Sequence, residues 1–247
     1  MIIKYLLFLG IGHILGDFYF QNKKYKKCKT ETNKGILQHC FMYYVAVLLA
    51  VLPVFSIDMV GAATCVAFIH GVIDLAEYVI AAKKKIAKSE RVFLIDQCIH
   101  ITCLCVVAYI MDIWHFSTGH IEIIDSIIGA FGGEMETIAR WVLAILLIHR
   151  PVNVFIQNFL GDYKPKEEET LIKTDNKAGR RIGTVERLIM LIFLSVNQYT
   201  AIGFVLTAKS IARYDKISKD EKFAEYYLLG TLVSTLCVIV CRMLVIS

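Results

Sequence analysis

Stretches of roughly 20 predominantly apolar residues recur along this chain, at about 2–20, 35–56, 58–82, 92–114, 138–160 and 223–245. An α-helix rising 1.5 Å per residue needs about that many residues to cross a hydrocarbon core of ~30 Å. Within lipid every backbone N–H and C=O must be satisfied by the chain itself, so repeated apolar spans restrict the fold to an all-α polytopic transmembrane bundle. Composition agrees: 57% of the 247 residues are hydrophobic, 20% are charged and three are proline. Mean hydropathy is +0.58. A soluble domain of this length buries shorter, amphipathic pieces instead. The first segment does not read as a signal peptide, because His13 and Asp17 interrupt it and no small-x-small cleavage site follows.

Basic connections set orientation more than net charge does. Residues 21–34 (QNKKYKKCKTETNK) and 83–91 (KKKIAKSER) are rich in lysine, whereas 115–137 holds four acids and no Lys or Arg. The first two are expected in the cytoplasm and the third outside, with the N-terminus outside as well. The stretch 161–185, with six Lys or Arg, then falls inside. The expected location is the inner (plasma) membrane, multi-pass. Eight cysteines, mostly within apolar spans and without a CxxC, read as small packing residues kept reduced.

A further apolar stretch, 186–208, is broken at its centre by Asn197 and Gln198. Two readings stand. A full crossing makes seven spans but leaves 209–222, with five basic residues, outside. A re-entrant hairpin makes six and keeps both flanks on one side, its non-helical turn tolerated only inside protein or beside a wet cavity. Either way the chain is expected to be one integral-membrane domain over 1–247. Its halves are a four-helix, His/Asp-bearing part at 1–114 and a part at 138–247 with basic cytoplasmic segments.

Three pairs of ionisable residues lie inside the spans. His13 and Asp17 are echoed by His70 and Asp74, and by Asp96 and His100 in reverse order. Each pair is spaced i,i+4 and so shares a helix face. The fourth span runs opposite to the first and third, so the reversal puts every aspartate nearer the cytoplasm and every histidine one turn deeper. Depths from the basic loops come to about 8–14 Å for the aspartates and 14–20 Å for the histidines. His39, about five residues into the second span, reaches the same layer. Such residues inside a membrane are costly and mark function. Imidazole and carboxylate together suit a divalent metal ion, zinc first, with manganese or iron also open. Carboxylates also serve to orient ligating imidazoles. The candidate ligands are therefore His13, Asp17, His39, His70, Asp74, Asp96 and His100, with Asp17, Asp74 and Asp96 as candidate catalytic bases. Gly12 and Gly16, at GxxxG spacing, let a neighbouring helix come close.

The C-terminal half is basic beside small residues, in AGRRIGTVER (178–187) and AKSIAR (208–213). Arginine forks suit phosphate or carboxylate, so Arg180, Arg187, Lys209 and Arg213 are candidate anion-binding residues. Arg150, mid-span in His149-Arg150-Pro151, is expected to face the bundle interior or a wet cavity and joins that set. Anionic membrane lipid or an amphiphile with an anionic head is the expected partner, and nucleic acid is not.

HILGDFYFQ, HGVIDLAEY, LIDQCIH, GRRIGTVER, AIGFVLTAKSIARY and AEYYLLGTL, in that order, resemble a bacterial inner-membrane family catalogued as a domain of unknown function. The resemblance implies a polytopic membrane protein and no activity. The intramembrane H…D pairs alone are similar to those of membrane-bound metal-dependent hydrolases. The leading expectation is a membrane-embedded metal-dependent hydrolase acting on a lipid or isoprenoid phosphate. The alternative is a proton- or metal-ion transporter using the same His/Asp layer.

Overall fold

The computed structural model describes residues 1–20, 33–84, 90–119, 121–130, 132–163 and 175–246. The lysine-rich connections at 21–32 and 85–89, together with Gln21 and His120, lie outside the described residues. Helices α1 (Ile2–Ile14), α2 (Asn33–Val51), α3 (Ile57–Lys84) and α4 (Glu90–Ile113) are followed by α5 (Glu122–Ala130) and α6 (Met135–Phe159). Then come α7 (Asp175–Ser195), α8 (Tyr199–Ile211), α9 (Tyr214–Lys219) and α10 (Glu221–Cys241). Among the described residues there is no strand. Six helical stretches are long and apolar enough to cross a membrane: Ile2–Tyr19, Gly35–Val54, Ile57–Ile80, Val92–Ile113, Met135–Phe159 and Glu221–Ile246. The chain is a multi-pass helical membrane protein. It divides into two compact units, Met1–Leu143 and Ala144–Ser247, with the boundary inside α6.

In the first unit α1 packs on α2 and α4, and α3 packs on the same two, closing a ring of four helices. Its polarity is inverted relative to a water-soluble bundle. Leu37, Phe41 and Phe68 are exposed, while His13, His39, His70, His100 and Asp74 are buried. Lipid tails are as apolar as leucine, so burying more leucine does not drive such helices together; close packing and interhelical hydrogen bonds do. Small residues supply the closeness. A Cβ on Gly12 would lie 2.7 Å from Cα of Val47, and one on Gly16 would lie 2.5 Å from Cδ2 of Tyr43. Ala46, Ala63 and Ala108 are likewise buried at the contacts.

The end of this unit away from the His/Asp layer is laced by hydrogen bonds to the segment after α4. Tyr5 donates its hydroxyl hydrogen to the carbonyl of Phe116 (2.5 Å), and Ser117 donates from N and Oγ to Asp58 Oδ2, both at 2.7 Å. Gly119 passes so close to the Phe55 carbonyl that no side chain fits there. Within 115–137, read from sequence as a loop, Glu122–Ala130 is helical. Glu122 and Asp125 occupy its first turn, where acids suit the helix dipole.

Of the two readings of 186–208, the structure has the hairpin. The chain breaks after Ser195, Asn197 adopts a left-handed φ of 57°, and the Gln198 N–H closes the turn on the Phe193 carbonyl at 2.8 Å. Helix α8 then runs for 13 residues, about 20 Å and too short to cross. The fold-back is fixed by Lys209, whose Nζ donates to Glu186 Oε2 at 2.6 Å.

Candidate metal centre and a cationic cavity

Four helices carry the seven His and Asp residues to one layer of the first unit. His13 sits at the end of α1, and Asp17 follows in a π-helical turn, Leu15–Tyr19. A π turn holds an extra residue per winding and is frequent at functional sites. Here the winding leaves the His13 and Asp17 side chains 3.9 Å apart and puts Asp17 Oδ1 3.3 Å from Nε2 of both His39 and His70. On the far side of those imidazoles, Asp74 Oδ2 lies 3.2 Å from His39 Nε2 and 3.4 Å from His70 Nε2. The two Nε2 atoms are themselves 3.2 Å apart. Two imidazole nitrogens from α2 and α3 thus face two carboxylate oxygens from α1's extension and α3.

Those separations carry chemical meaning. Metal–ligand bonds of ~2.0–2.1 Å in a tetrahedron place neighbouring donor atoms about 3.3–3.4 Å apart. The five distances above all fall at or within 0.2 Å of that edge. His39, His70 and Asp74, all fully buried, form one group able to hold a metal ion. His13, Asp17 and His70 form a second, and Asp74, Asp96 and His100 a third. The groups share His70 and Asp74, so the seven residues make one continuous donor set.

The surroundings fix these side chains. His100 Nδ1 lies 2.9 Å from the backbone carbonyl of Asp96. A carbonyl only accepts, so Nδ1 carries the hydrogen and Nε2 presents a lone pair. That Nε2 is buried and makes no hydrogen bond to the described residues. An imidazole tied by one nitrogen to a carbonyl and offering the other is the usual posture of a metal ligand. Tyr43 stacks on His70 with ring centroids 3.6 Å apart and 4° between planes, and its hydroxyl is 3.1 Å from His13 Nδ1. Gln97 Nε2 donates to Asp17 Oδ2 (3.4 Å) and Asp96 Oδ2 (3.3 Å), linking α4 to the π turn. The Asp17 and Asp96 side chains are 11% and 18% exposed against 1% for Asp74. The layer therefore opens at the end of the bundle that bears Asp17, Asp96 and Gln97.

Sequence reasoning placed all seven residues in one layer but did not single out Tyr43. Its signal was available: it follows His39 by four residues and so shares that face of α2. The π turn has no signature in composition.

The second unit holds the basic candidates. Arg180, Arg187, Lys209 and Arg213 line one cavity of about 730 Å³, together with Glu186 and Tyr227. Arg150 does not line it. The expectation that Arg150 faces inward is corrected: it is exposed on α6, and the arginine that turns inward is Arg187, 2% exposed. Pro151 and Asn153 lie one and three residues on, and Asn153 supplies the reason. Its Oδ1 accepts from Arg187 Nη2 at 2.7 Å, so the helix face carrying Asn153 packs on α7.

No curated protein and no solved structure matches the chain. Residues 5–125, which hold all seven His and Asp donors, match the family described as "Protein of unknown function (DUF3307)".

Proposed function

We propose that the His/Asp layer holds a divalent metal ion, zinc first, and that the protein is a membrane-embedded metal-dependent hydrolase of an amphiphile with an anionic head. The supporting observation is the convergence of His39 Nε2, His70 Nε2 and Asp74 Oδ2 at separations of 3.2–3.4 Å. His39, His70 and Asp74 supply the two-imidazole, one-carboxylate ligand set that catalytic zinc sites use with a fourth position kept for water. A bound ion lowers the pKa of such water to about 7 and polarises the scissile group. Asp17, nearer the open end and held at Oδ2 by Gln97, would be the base for such a water. Asp96 and His100 adjoin this set and would supply further ligands through the Asp96 carboxylate and His100 Nε2. His13 and Tyr43 hold the deep side of the layer in place.

Access favours the enzyme over a transporter. A pathway needs polar groups continuing through the bundle, and beyond the layer α1 to α4 pack Leu9, Val47, Met59, Ala63 and Met111, all buried. A pocket open at one end suits a substrate that enters from one side.

The test is bound metal, measured by elemental mass spectrometry on protein purified in detergent without chelator. Wild type is expected to carry stoichiometric metal, and His39→Ala, His70→Ala and Asp74→Asn to lose it. A metal-free wild type, still metal-free after incubation with zinc, manganese and iron, sinks the reading. Headgroup release from a phospholipid mixture by the loaded protein, abolished in Asp17→Asn with metal retained, checks the hydrolase half.

A further inference from the structure

Arg187 is buried in the second unit, and among the described residues no carboxylate lies within ion-pair distance of it. Its Nε donates to the Ile148 carbonyl (2.8 Å), Nη1 to Ser234 Oγ (3.2 Å), and Nη2 to Asn153 Oδ1 (2.7 Å) and Thr184 Oγ1 (3.3 Å). All four acceptors are neutral. They fix the fork in place, and a buried cation is expensive in a membrane protein unless anionic groups offset it. The adjacent Glu186 offsets part of that charge, but its carboxylate also pairs with Lys209 at 2.6 Å.

Among the described residues, the cavity that Arg187 borders is lined by four cations, Arg180, Arg187, Lys209 and Arg213, and by one carboxylate, that of Glu186. Arg213 has no carboxylate within ion-pair distance among the described residues. The hairpin creates this excess by folding α8 back on α7, which brings 180–187 and 209–213 to one place although a span's length of chain separates them. Room for the fork is made by Gly183, where a Cβ would lie 3.3 Å from Arg187 Nη1. The other walls are apolar or aromatic: Ile156, Leu160 and Ile182, with Phe223 and Tyr227. Tyr227 and Thr231 place two hydroxyls in the same wall. The volume of about 730 Å³ lies in the range of ligand pockets.

We propose that this cavity is a binding site for a phosphate group carried on an apolar tail, with the arginines and Lys209 around the phosphate and the apolar walls along the tail. Phosphate fits better than a lone carboxylate because several forks and hydroxyls converge, and each guanidinium takes two of its oxygens. The site stands on the cavity alone and does not depend on the metal reading.

Native mass spectrometry of the full chain, released from nanodiscs of phosphatidylcholine containing a minor share of phosphatidic acid, tests it. Retained phosphatidic acid adducts are expected on wild type, with occupancy falling about tenfold in Arg213→Gln and in Arg180→Gln, as for loss of a charge-assisted hydrogen bond. Arg180 is exposed and Arg213 half-buried, so these variants are expected to fold and to keep their bound metal. Displacement by millimolar inorganic phosphate would show that the phosphate group alone is recognised; no displacement would show that the tail is required. Equal retention of phosphatidylcholine and phosphatidic acid, unchanged in both variants, overturns the proposal. Loss of metal from the first unit with lipid binding intact would strike the hydrolase reading and leave this one standing.

Discussion

The phenol ring of Tyr43 lies flat against the imidazole of His70, centroids 3.6 Å apart and planes 4° from parallel, while its hydroxyl reaches 3.1 Å from Nδ1 of His13. One residue of α2 therefore sets the orientation of imidazoles on α1 and α3. Its two contacts separate by mutation. Tyr43→Phe keeps the stack and removes the hydroxyl, and is expected to weaken metal binding about tenfold. Tyr43→Ala removes both and is expected to approach the hundredfold end of the range for such supporting contacts. Chelator competition with the purified variants measures the two, and equal losses would contradict the division of labour.

The close approach of α1 to α2 gives a second prediction. Gly16→Ala drives a methyl into Tyr43, and Gly12→Ala drives one into the Val47 backbone. Each is expected to cost about 1–3 kcal/mol, the usual range for overpacking. Gly61→Ala, where nothing lies within 4 Å of the new Cβ, is the control. Thermal unfolding in detergent is expected to show lower midpoints for the first two and none for the control. Gly16→Ala should also lower bound metal, since Tyr43 is what moves.

Metal removal offers a third. A ligand bound only by the folded state stabilises it by about 2.7 kcal/mol when free ligand stands at 100 times its dissociation constant. Treatment with a chelator is expected to lower the unfolding midpoint of the wild type, and zinc to restore it. In His70→Ala neither addition should move the midpoint. A chelator-sensitive His70→Ala protein would place the metal elsewhere.

The hairpin is testable by labelling from one face of the membrane. Gly179 and Tyr214 are both exposed, one on each arm. In a cysteine-free background, Gly179→Cys and Tyr214→Cys are expected to react with a membrane-impermeant maleimide from the same side. Reaction from opposite sides would require a seventh span.

The spans were legible because crossing lipid imposes one length and one composition on each. The His/Asp layer was legible because its residues are costly in that setting and repeat at helical spacing, so His13, Asp17, His70, Asp74, Asp96 and His100 stand out and His39 follows by depth. Tyr43 did not stand out, because an aromatic in an apolar span costs nothing and its role appears only against α3. Arg150 and Arg187 show the other limit. Both are arginines in apolar surroundings, and which one turns inward is decided by the face of α6 that meets α7, which the position of Asn153 reveals only after folding. The choice between span and hairpin likewise depended on the Lys209–Glu186 contact, 23 positions apart in the chain.

The π turn at Leu15–Tyr19 makes residue count itself a variable of the first span. His70 and Asp74 sit on an ordinary α-helix, where four residues bring a side chain back to nearly the same bearing; His13 and Asp17 have the same spacing in the chain but not the same winding. Loosening the coil swings Asp17 sideways, off the His13 bearing and toward His39 and His70. Deleting one residue there, such as Leu15, would remove the extra residue of the winding, restore α-helical pitch and leave His13 and Asp17 three residues apart instead of four. The first helix would then still cross the membrane and still carry a histidine and an aspartate, yet the two would address different neighbours. Length polymorphism at this point is therefore expected to be lethal to the site while remaining silent to any measure of hydropathy.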